Sequence, residues 1–287
     1  MSVQITTAFV EQYKSNVFHL AQQKGSRLRD AVRTETVTGK SHFFERIGDT
    51  AALKRTSRHS DTPRVDTPHS RRKVTMDDYD WADLIDQEDK VRMLISPQSE
   101  YAMSGAWAMG RAMDDAIIAA ASGNAFGGVS GGTTVALPSG QKIVHASAGL
   151  TLAKAFTVYE AFGSGDIPDD GQRYFVVSSA GWADLLQLDQ FSRAEYVGEA
   201  QLPYAGGLTA KRWLGFMWFT HSGLSISGTT RECHAYHRSA LGTAMGSEIR
   251  TEVNYIPEKV SNLITSYMSL GSTMIDNNGA IKVQITE

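Results

Sequence analysis

Between positions 51 and 79 the chain carries too little apolar surface to build a core. The apolar side chains there are Ala51, Ala52, Leu53, Val65, Val74, Met76 and Tyr79, while Lys54, Arg55, Arg58, Arg64, Arg71, Arg72 and Lys73 alternate with Asp61, Asp66, Asp77 and Asp78. Such a segment cannot bury enough to offset the entropy of ordering it. Two similar triplets, Asp61-Thr62-Pro63 and Asp66-Thr67-Pro68, hold the chain extended or turning, because proline fixes its own φ and keeps the preceding residue out of the helical region. Structureless stretches beyond about 12–15 residues are uncommon in compact domains and are commonly functional or disordered. The flanks, 34–43 and 72–79, have strand-like composition. Together these features predict a long two-stranded arm over 32–79 standing off the body.

The remainder has the composition of a folded protein. With 287 residues, 41% of them hydrophobic, it can bury a sizeable core as one large domain or as two or three packed subdomains. The formal charge of -3 argues against a strongly cationic face for nucleic acid. Cys233 is the only cysteine, so no disulfide forms within the chain, which fits a reducing cytoplasm. Positions 1–16 place Glu11 and Lys14 among apolar residues and do not read as a secretory signal. No apolar run approaches the roughly 20 residues of a membrane span. A soluble protein is predicted.

Along the chain, Phe9, Tyr13, Val17 and Leu20 recur at helical spacing, predicting an amphipathic helix over 7–22 capped by Thr7. Lys24, Arg27, Arg29 and Arg33 follow, either as a solvated helix end or as a partner-binding arm. The most prominent helix is predicted over 97–121, with Ser96 as N-cap, Pro97 at the first helical position and Gly123 as its stop. Met103, Trp107, Gly110 and Ile117 form one stripe, Met109, Met113 and Ala116 lie beside it, and Arg111 can pair with Asp115. Beyond the glycine-rich stretch 123–132 comes a predicted hairpin over 133–144, interrupted at Pro138-Ser139-Gly140. A helix over 151–162, a strand over 174–177, a helix over 180–188 and a strand over 213–219 suggest a mixed α/β unit. Strands over 233–237, 249–255, 265–270 and 281–285 close the chain, giving an α+β class overall.

No pattern assembles catalytic chemistry. The 123–132 stretch lacks the lysine and hydroxyl of a phosphate loop and reads as a structural turn. Cys233, His234 and His237 would alternate faces on a strand, so they read as strand residues and not as zinc ligands. His59, Asp61, Asp66 and His69 fall together through the polar composition of the arm. Asp114 and Asp115 project in different directions from a helix, which fits salt bridging better than an acid pair. Neither Ser178 nor Ser222 lies in a nucleophile elbow. No catalytic, cofactor or metal residue is assigned, and no cofactor is expected.

The order of parts, a helix, a long charged arm, a long helix with a Ser-Pro start, an α/β unit and returning strands, resembles the major capsid proteins of tailed bacteriophages, which share the Hong Kong 97 fold. The likeness is carried by Ser41-His-Phe-Phe-Glu-Arg-Ile-Gly48, Tyr79-Asp-Trp81-Ala-Asp-Leu-Ile-Asp86, Asp89-Lys-Val-Arg92, Pro97-Gln-Ser-Glu-Tyr101 and Arg111-Ala-Met-Asp114-Asp115. It implies an N-terminal arm over 1–31, an extended loop over 32–85, a peripheral domain over 86–149 with its spine helix at 97–121, an axial domain over 150–245, and a return to the peripheral domain over 246–287. Also implied is a shell of pentamers and hexamers, built in the host bacterial cytoplasm and forming the virion head around double-stranded DNA held by nonspecific contact. A separate scaffolding protein and a portal protein would be its other partners, with no membrane. The neighbouring subunit would be gripped by Lys54, Arg55, Arg58, Asp61, Arg64, Asp66, Arg71, Arg72 and Lys73. Some members of the fold cross-link an arm lysine to a neighbouring asparagine; Lys54 and Lys73 are available in the arm, although no motif marks a partner here. Two alternatives stand beside this one: an encapsulin-like compartment with the same fold, and a cytoplasmic enzyme of unrecognised motif.

Overall fold

In the computed structural model, residues 22–58, 61–62, 64–86, 97–192 and 210–287 are described. The helix predicted over 7–22, the Ser96 cap, His59, Pro63 and the 89–92 motif lie outside them, Gln22 apart. Helix α1 runs Pro97–Ser122, as its proline start predicts, and Gly123 ends it by donating its N–H to the Ala119 carbonyl at 2.8 Å. Its buried stripe is Met109, Met113, Ile117, Ile118 and Ala121, with Gly110 buried among them. Met103, expected on that stripe, is 40% exposed. Gly110 is needed for a close crossing: a Cβ there would meet the Gly25 carbonyl carbon at 2.5 Å and Ser26 N at 2.6 Å, so the chain at 25–26 runs directly over the helix.

Beneath α1 lies a four-stranded sheet of order β1-β13-β14-β4, from β1 (Arg33–Thr36), β4 (Asp77–Asp86), β13 (Leu241–Ile256) and β14 (Ser261–Met274). Strand β1 runs parallel to β13, and the other pairs are antiparallel. Ile264, Ser266, Met268 and Leu270 of β14 are buried, whereas Leu263, Thr265, Tyr267 and Ser269 on the opposite face are only half-buried. That alternation is the signature of a sheet covered on one side.

The second sheet has the order β7-β15-β12-β8-β10-β9, with β11 (Ile226–Ser227) paired to β12. Its strands are β7 (Lys142–Ile143), β8 (Arg173–Val177), β9 (Ala210–Trp213), β10 (Phe216–Thr220), β12 (Thr230–His237) and β15 (Ala280–Thr286). Helices α2 (Leu152–Ser164), α3 (Ser179–Leu186) and α4 (Asp189–Ser192) accompany it, and the N-caps Thr151 and Ser178 begin the first two. Phe162, Phe175, Phe216 and Trp218 fill the core, with Phe175 stacked on Trp218 at 3.9 Å between ring centroids. The strand predicted over 213–219 is a hairpin: Leu214 and Gly215 turn the chain with φ 50° and 77°, and β9 pairs antiparallel with β10. An unbroken apolar run concealed that turn.

A third sheet, order β2-β3-β5-β6, holds the arm, from β2 (Ser41–Ile47), β3 (His69–Thr75), β5 (Ala125–Gly127) and β6 (Thr133–Val135). The glycine-rich stretch is therefore the turn of a β5–β6 hairpin. The expected 133–144 hairpin does not form, because Lys142–Ile143 pairs in parallel with β15 instead. The span predicted as arm is also divided. Arg33–Thr36 and Asp77–Asp86 belong to the sheet under α1, and the residues between them form the two-stranded stalk.

Candidate assembly surface

Strands β2 and β3 pair over seven residues, from Ser41 opposite Thr75 to Ile47 opposite His69. Two-stranded ribbons are marginal alone. This one is fixed at its base, where Phe44 and Val74, each 3% exposed, pack with Ala244 and Ile275 of the body. Arg46 adds a hydrogen bond from Nη1 to the Ile275 carbonyl at 2.5 Å. At the far end the Gly48 N–H donates to the Pro68 carbonyl at 2.8 Å, closing the stalk. Between these two residues, the described positions have no helix or strand and are exposed throughout.

The sequence-predicted contact residues divide accordingly. Lys54, Arg55, Arg58, Asp61, Arg64 and Asp66 lie in the exposed segment, where Arg55 Nη2 donates to the Arg58 carbonyl at 3.0 Å. Arg71, Arg72 and Lys73 are half-buried on β3. Arg71 pairs with Glu45 at 3.1 Å and lies 5.2 Å from the Phe43 ring centroid. Burial lowers the Arg72 pKa and neighbouring Arg46 adds to that, against the opposing pull of Asp276. The Lys73 stem packs where a Cβ on Gly131 would stand, which ties the glycine turn to the arm. Structure thus joins three of the nine residues to the stalk and sets six on an uncovered surface.

A buried joint fixes how the chain approaches α1. Asp114, 0% exposed, accepts from Ser26 Oγ at 2.5 Å, Arg27 N at 3.0 Å, Leu28 N at 3.1 Å and Gln23 Nε2. His221 Nε2 lies 3.1 Å away on its other side. Because His221 Nδ1 accepts from the Gly223 N–H at 3.0 Å, Nε2 is the nitrogen that donates to Asp114. Burial alone would raise the Asp114 pKa, but the hydrogen bonds from His221, Arg27, Ser26 and Leu28 outweigh it and hold the carboxyl below its usual range. Arg111, expected to pair with Asp115, donates instead to Gln22 Oε1 at 3.0 Å and to the Gln23 carbonyl at 3.2 Å. The role of Asp114 was out of reach of sequence reasoning, since its partners stand 86 to 107 positions away.

Residues screened for chemistry take structural places. Cys233 is buried, and burial pushes its thiol up to about 12. Burial likewise lowers His234 to about 4, and its Nε2 lies 3.1 Å from Ser122 Oγ. His237 contacts Ser239 Oγ at 2.7 Å and Asp170 at 3.1 Å. Ser178 caps α3 through Gly181 N at 3.1 Å. Among the described residues, no group of three or more histidines, cysteines or carboxylates is placed to hold a metal, and no helix is long and apolar enough to cross a membrane.

Comparison with known proteins agrees with this architecture. A family model described as phage capsid protein matches residues 5–287. Among solved structures, the capsid of cyanophage P-SCSP1u superposes with a TM-score of 0.74 at 18% identity, covering 98% of this chain and 94% of that one. A Mycobacterium phage Che8 structure gives 0.69 at 15% identity over 95% and 96% of the two chains. The capsid of a native GTA particle gives 0.69 at 11% identity over 100% and 99%. No curated protein matches the sequence. An α+β fold shared along the whole length with phage capsid subunits and a family match over nearly every residue make this chain a member of the phage capsid protein family, a structural protein and not an enzyme.

Proposed function

We propose that the chain is the major capsid protein of a tailed bacteriophage, assembling with copies of itself as pentamers and hexamers into a closed icosahedral head around double-stranded DNA. In this reading 1–31 is the N-terminal arm, 32–85 the extended loop, 86–149 the peripheral domain with its spine helix at 97–121, 150–245 the axial domain, and 246–287 the return to the peripheral domain. Assembly takes place in the host bacterial cytoplasm with a separate scaffolding protein and a portal, and the shell becomes the virion head. The DNA is held by nonspecific contact, consistent with a near-neutral chain that offers little counterion release.

The observation that carries the proposal is the exposed segment between Gly48 and Pro68, held on a stalk that is itself anchored by Phe44 and Val74. Such a segment gains nothing by folding alone, whereas laid across a neighbour it makes polar contacts that repeat at every position of a closed lattice. Electron microscopy of the purified protein, with and without a co-expressed scaffold, tests the reading. Hollow particles of uniform diameter are expected, and a persistent small oligomer under both conditions overturns it.

A further inference from the structure

At the seam between the sheet under α1 and the second sheet, two guanidinium groups from distant parts of the sequence line one cleft. Its walls are Arg33 and Thr34 of β1, Gln172 at the entry to β8, and Arg238 and Ser239 of the short turn Arg238–Ala240, around a space of about 210 Å³. Local structure sets each of these in place. Strand β1 is a sheet edge, paired with β13 alone, and the turn packs beside it, with Arg238 Nε donating to the Val32 carbonyl at 3.3 Å. The Arg238 N–H donates to the Gln172 carbonyl at 3.0 Å, which joins the turn to the start of β8. Buried His237 has its Nδ1 2.7 Å from Ser239 Oγ and 3.3 Å from Ser239 N, fixing that hydroxyl at the rim.

The carboxylates beside the cleft are already engaged. Glu35 takes one Nη of Arg33 at 2.5 Å and meets His42 at 3.2 Å. Asp170 accepts from the Gln172 N–H at 3.0 Å and faces His237 Nε2 at 3.1 Å, while Asp169 leans to Arg173 at 3.9 Å. Donors are left over. Among the described residues the terminal nitrogens of Arg238 have no partner, and neither does the second Nη of Arg33. A third guanidinium, Arg212, donates to the Gly171 carbonyl at 3.3 Å and has no carboxylate paired to it among those residues, which adds positive potential at the same end of β8.

We infer that this seam is a binding site for a phosphate group, held between Arg33 and Arg238 with Thr34, Gln172 and Ser239 supplying further donors. A guanidinium fork matches two oxygens on one phosphorus, and the charge-assisted bonds it makes are about twice as strong as neutral ones. Two forks arriving from separate elements suit a tetrahedral anion that presents oxygens on several sides, whereas a planar carboxylate fills only one fork. Because Arg33 belongs to one sheet and Arg238 stands where the chain leaves the other, a bound phosphate also ties the sheets together and stabilises the subunit. The group can come as a free or nucleotide phosphate or as the backbone of a nucleic acid. The inference concerns the folded subunit and does not rest on the shell reading.

The test uses unassembled full-length subunits. Inorganic phosphate shows saturable broadening of its phosphorus resonance, and acetate at the same concentration does not displace it. Arg238→Gln and Arg33→Gln each weaken binding about tenfold, the loss of one charge-assisted contact. Lys259→Gln, at an exposed cation on the β13–β14 turn, leaves it unchanged. Arg33 is exposed on an edge strand, so its variant reads the site even where Arg238→Gln fails to fold. Fluorescence anisotropy of a labelled DNA duplex separates the sources. Weakening by the same two variants, with competition by inorganic phosphate, assigns a nucleic-acid backbone; duplex binding that is absent or indifferent to them assigns a small phosphate. No saturable phosphate binding, unchanged affinity in Arg33→Gln, equal weakening by Lys259→Gln, or displacement by acetate overturns the inference. Since no particle is needed, failure to build shells leaves this site standing, and failure to bind phosphate leaves the shell reading standing.

Discussion

Replacing Asp114 should loosen the segment that crosses α1 more than any other single change at that joint. The carboxylate accepts from two backbone N–H groups, Arg27 and Leu28, and from side chains of Gln23, Ser26 and His221. In Asp114→Ala the donors nearer solvent recover water, but Leu28 N–H and His221 Nε2–H stay in a dry site. Each orphaned donor costs roughly 1–3 kcal/mol, so a loss of about 4 kcal/mol is expected. Asp114→Asn keeps one acceptor oxygen but turns an amide toward the remaining donors, and about 2 kcal/mol is expected. Against a total stability on the order of 5–15 kcal/mol these are large effects.

Urea unfolding of unassembled subunits reads the difference directly. With m on the order of 3 kcal/mol/M, the midpoint falls by about 1 M in Asp114→Ala at unchanged m. Hydrogen exchange localises the effect, because the Arg27 and Leu28 amides should lose protection first. The pH dependence gives an independent check. A carboxyl held below its ordinary pKa stabilises fully above the unfolded value near pH 4, and that contribution is lost as the pH falls through the lower folded value. The asparagine variant should lack this part of the acid limb. If Asp114→Asn lies within about 0.5 kcal/mol of the parent and both amides stay protected, the joint is not the anchor described here.

Gly110→Ala should destabilise by about 1–3 kcal/mol, since the new Cβ meets backbone at Gly25, while Gly163→Ala on α2, where no atom lies within 4 Å, should stabilise by about 0.5–1 kcal/mol in the same unfolding assay. Lys154→Met should cost about 3 kcal/mol, because the buried ammonium donates to the carbonyls of His145, Ala148, Gly149 and Gln284 at 2.9, 2.8, 2.7 and 3.2 Å; a denaturation midpoint equal to the parent would show that water replaces it. His234, lowered to about 4 by burial, binds its proton more readily when unfolded, so stability should fall as the pH drops from about 6.5 to 4, by about 3 kcal/mol in all. His234→Gln should flatten that part of a stability-versus-pH curve, and an unchanged slope would assign it to other groups.

Where local chemistry decides an element, the residues announced it. The Pro97 start and Gly123 stop set α1 nearly to the residue, and the terminal strands followed from short apolar runs. Partners chosen across the chain were not legible. Asp77–Asp86 looks like a continuation of β3, and only the existence of β14 pulls it into another sheet. The Leu214-Gly215 turn hides in an apolar run because both strands it joins are partly buried. For the candidate surface, the basic arm was plain in the sequence as a segment too polar for any core.

Excising residues 50–66 separates the two tasks that the arm performs. The stalk below this point is stabilised by the body, through Phe44 and Val74 against Ala244 and Ile275 and through pairing of β3 with β5. The Gly48 N–H to Pro68 carbonyl bond already brings the cut ends together, so a two-residue Asn-Gly link can close them as a hairpin turn. None of the removed side chains is buried among the described residues, so loop shortening is expected to leave subunit stability within about 1 kcal/mol of the parent. Assembly should nevertheless fail, because the removed segment contains Lys54, Arg55, Arg58 and Arg64, the exposed cations that lie beyond the stalk. A stable excised subunit that builds normal shells would mean the grip lies in the stalk strands themselves. An unstable one would mean that the exposed segment packs on its own body, contrary to its exposure at every described position.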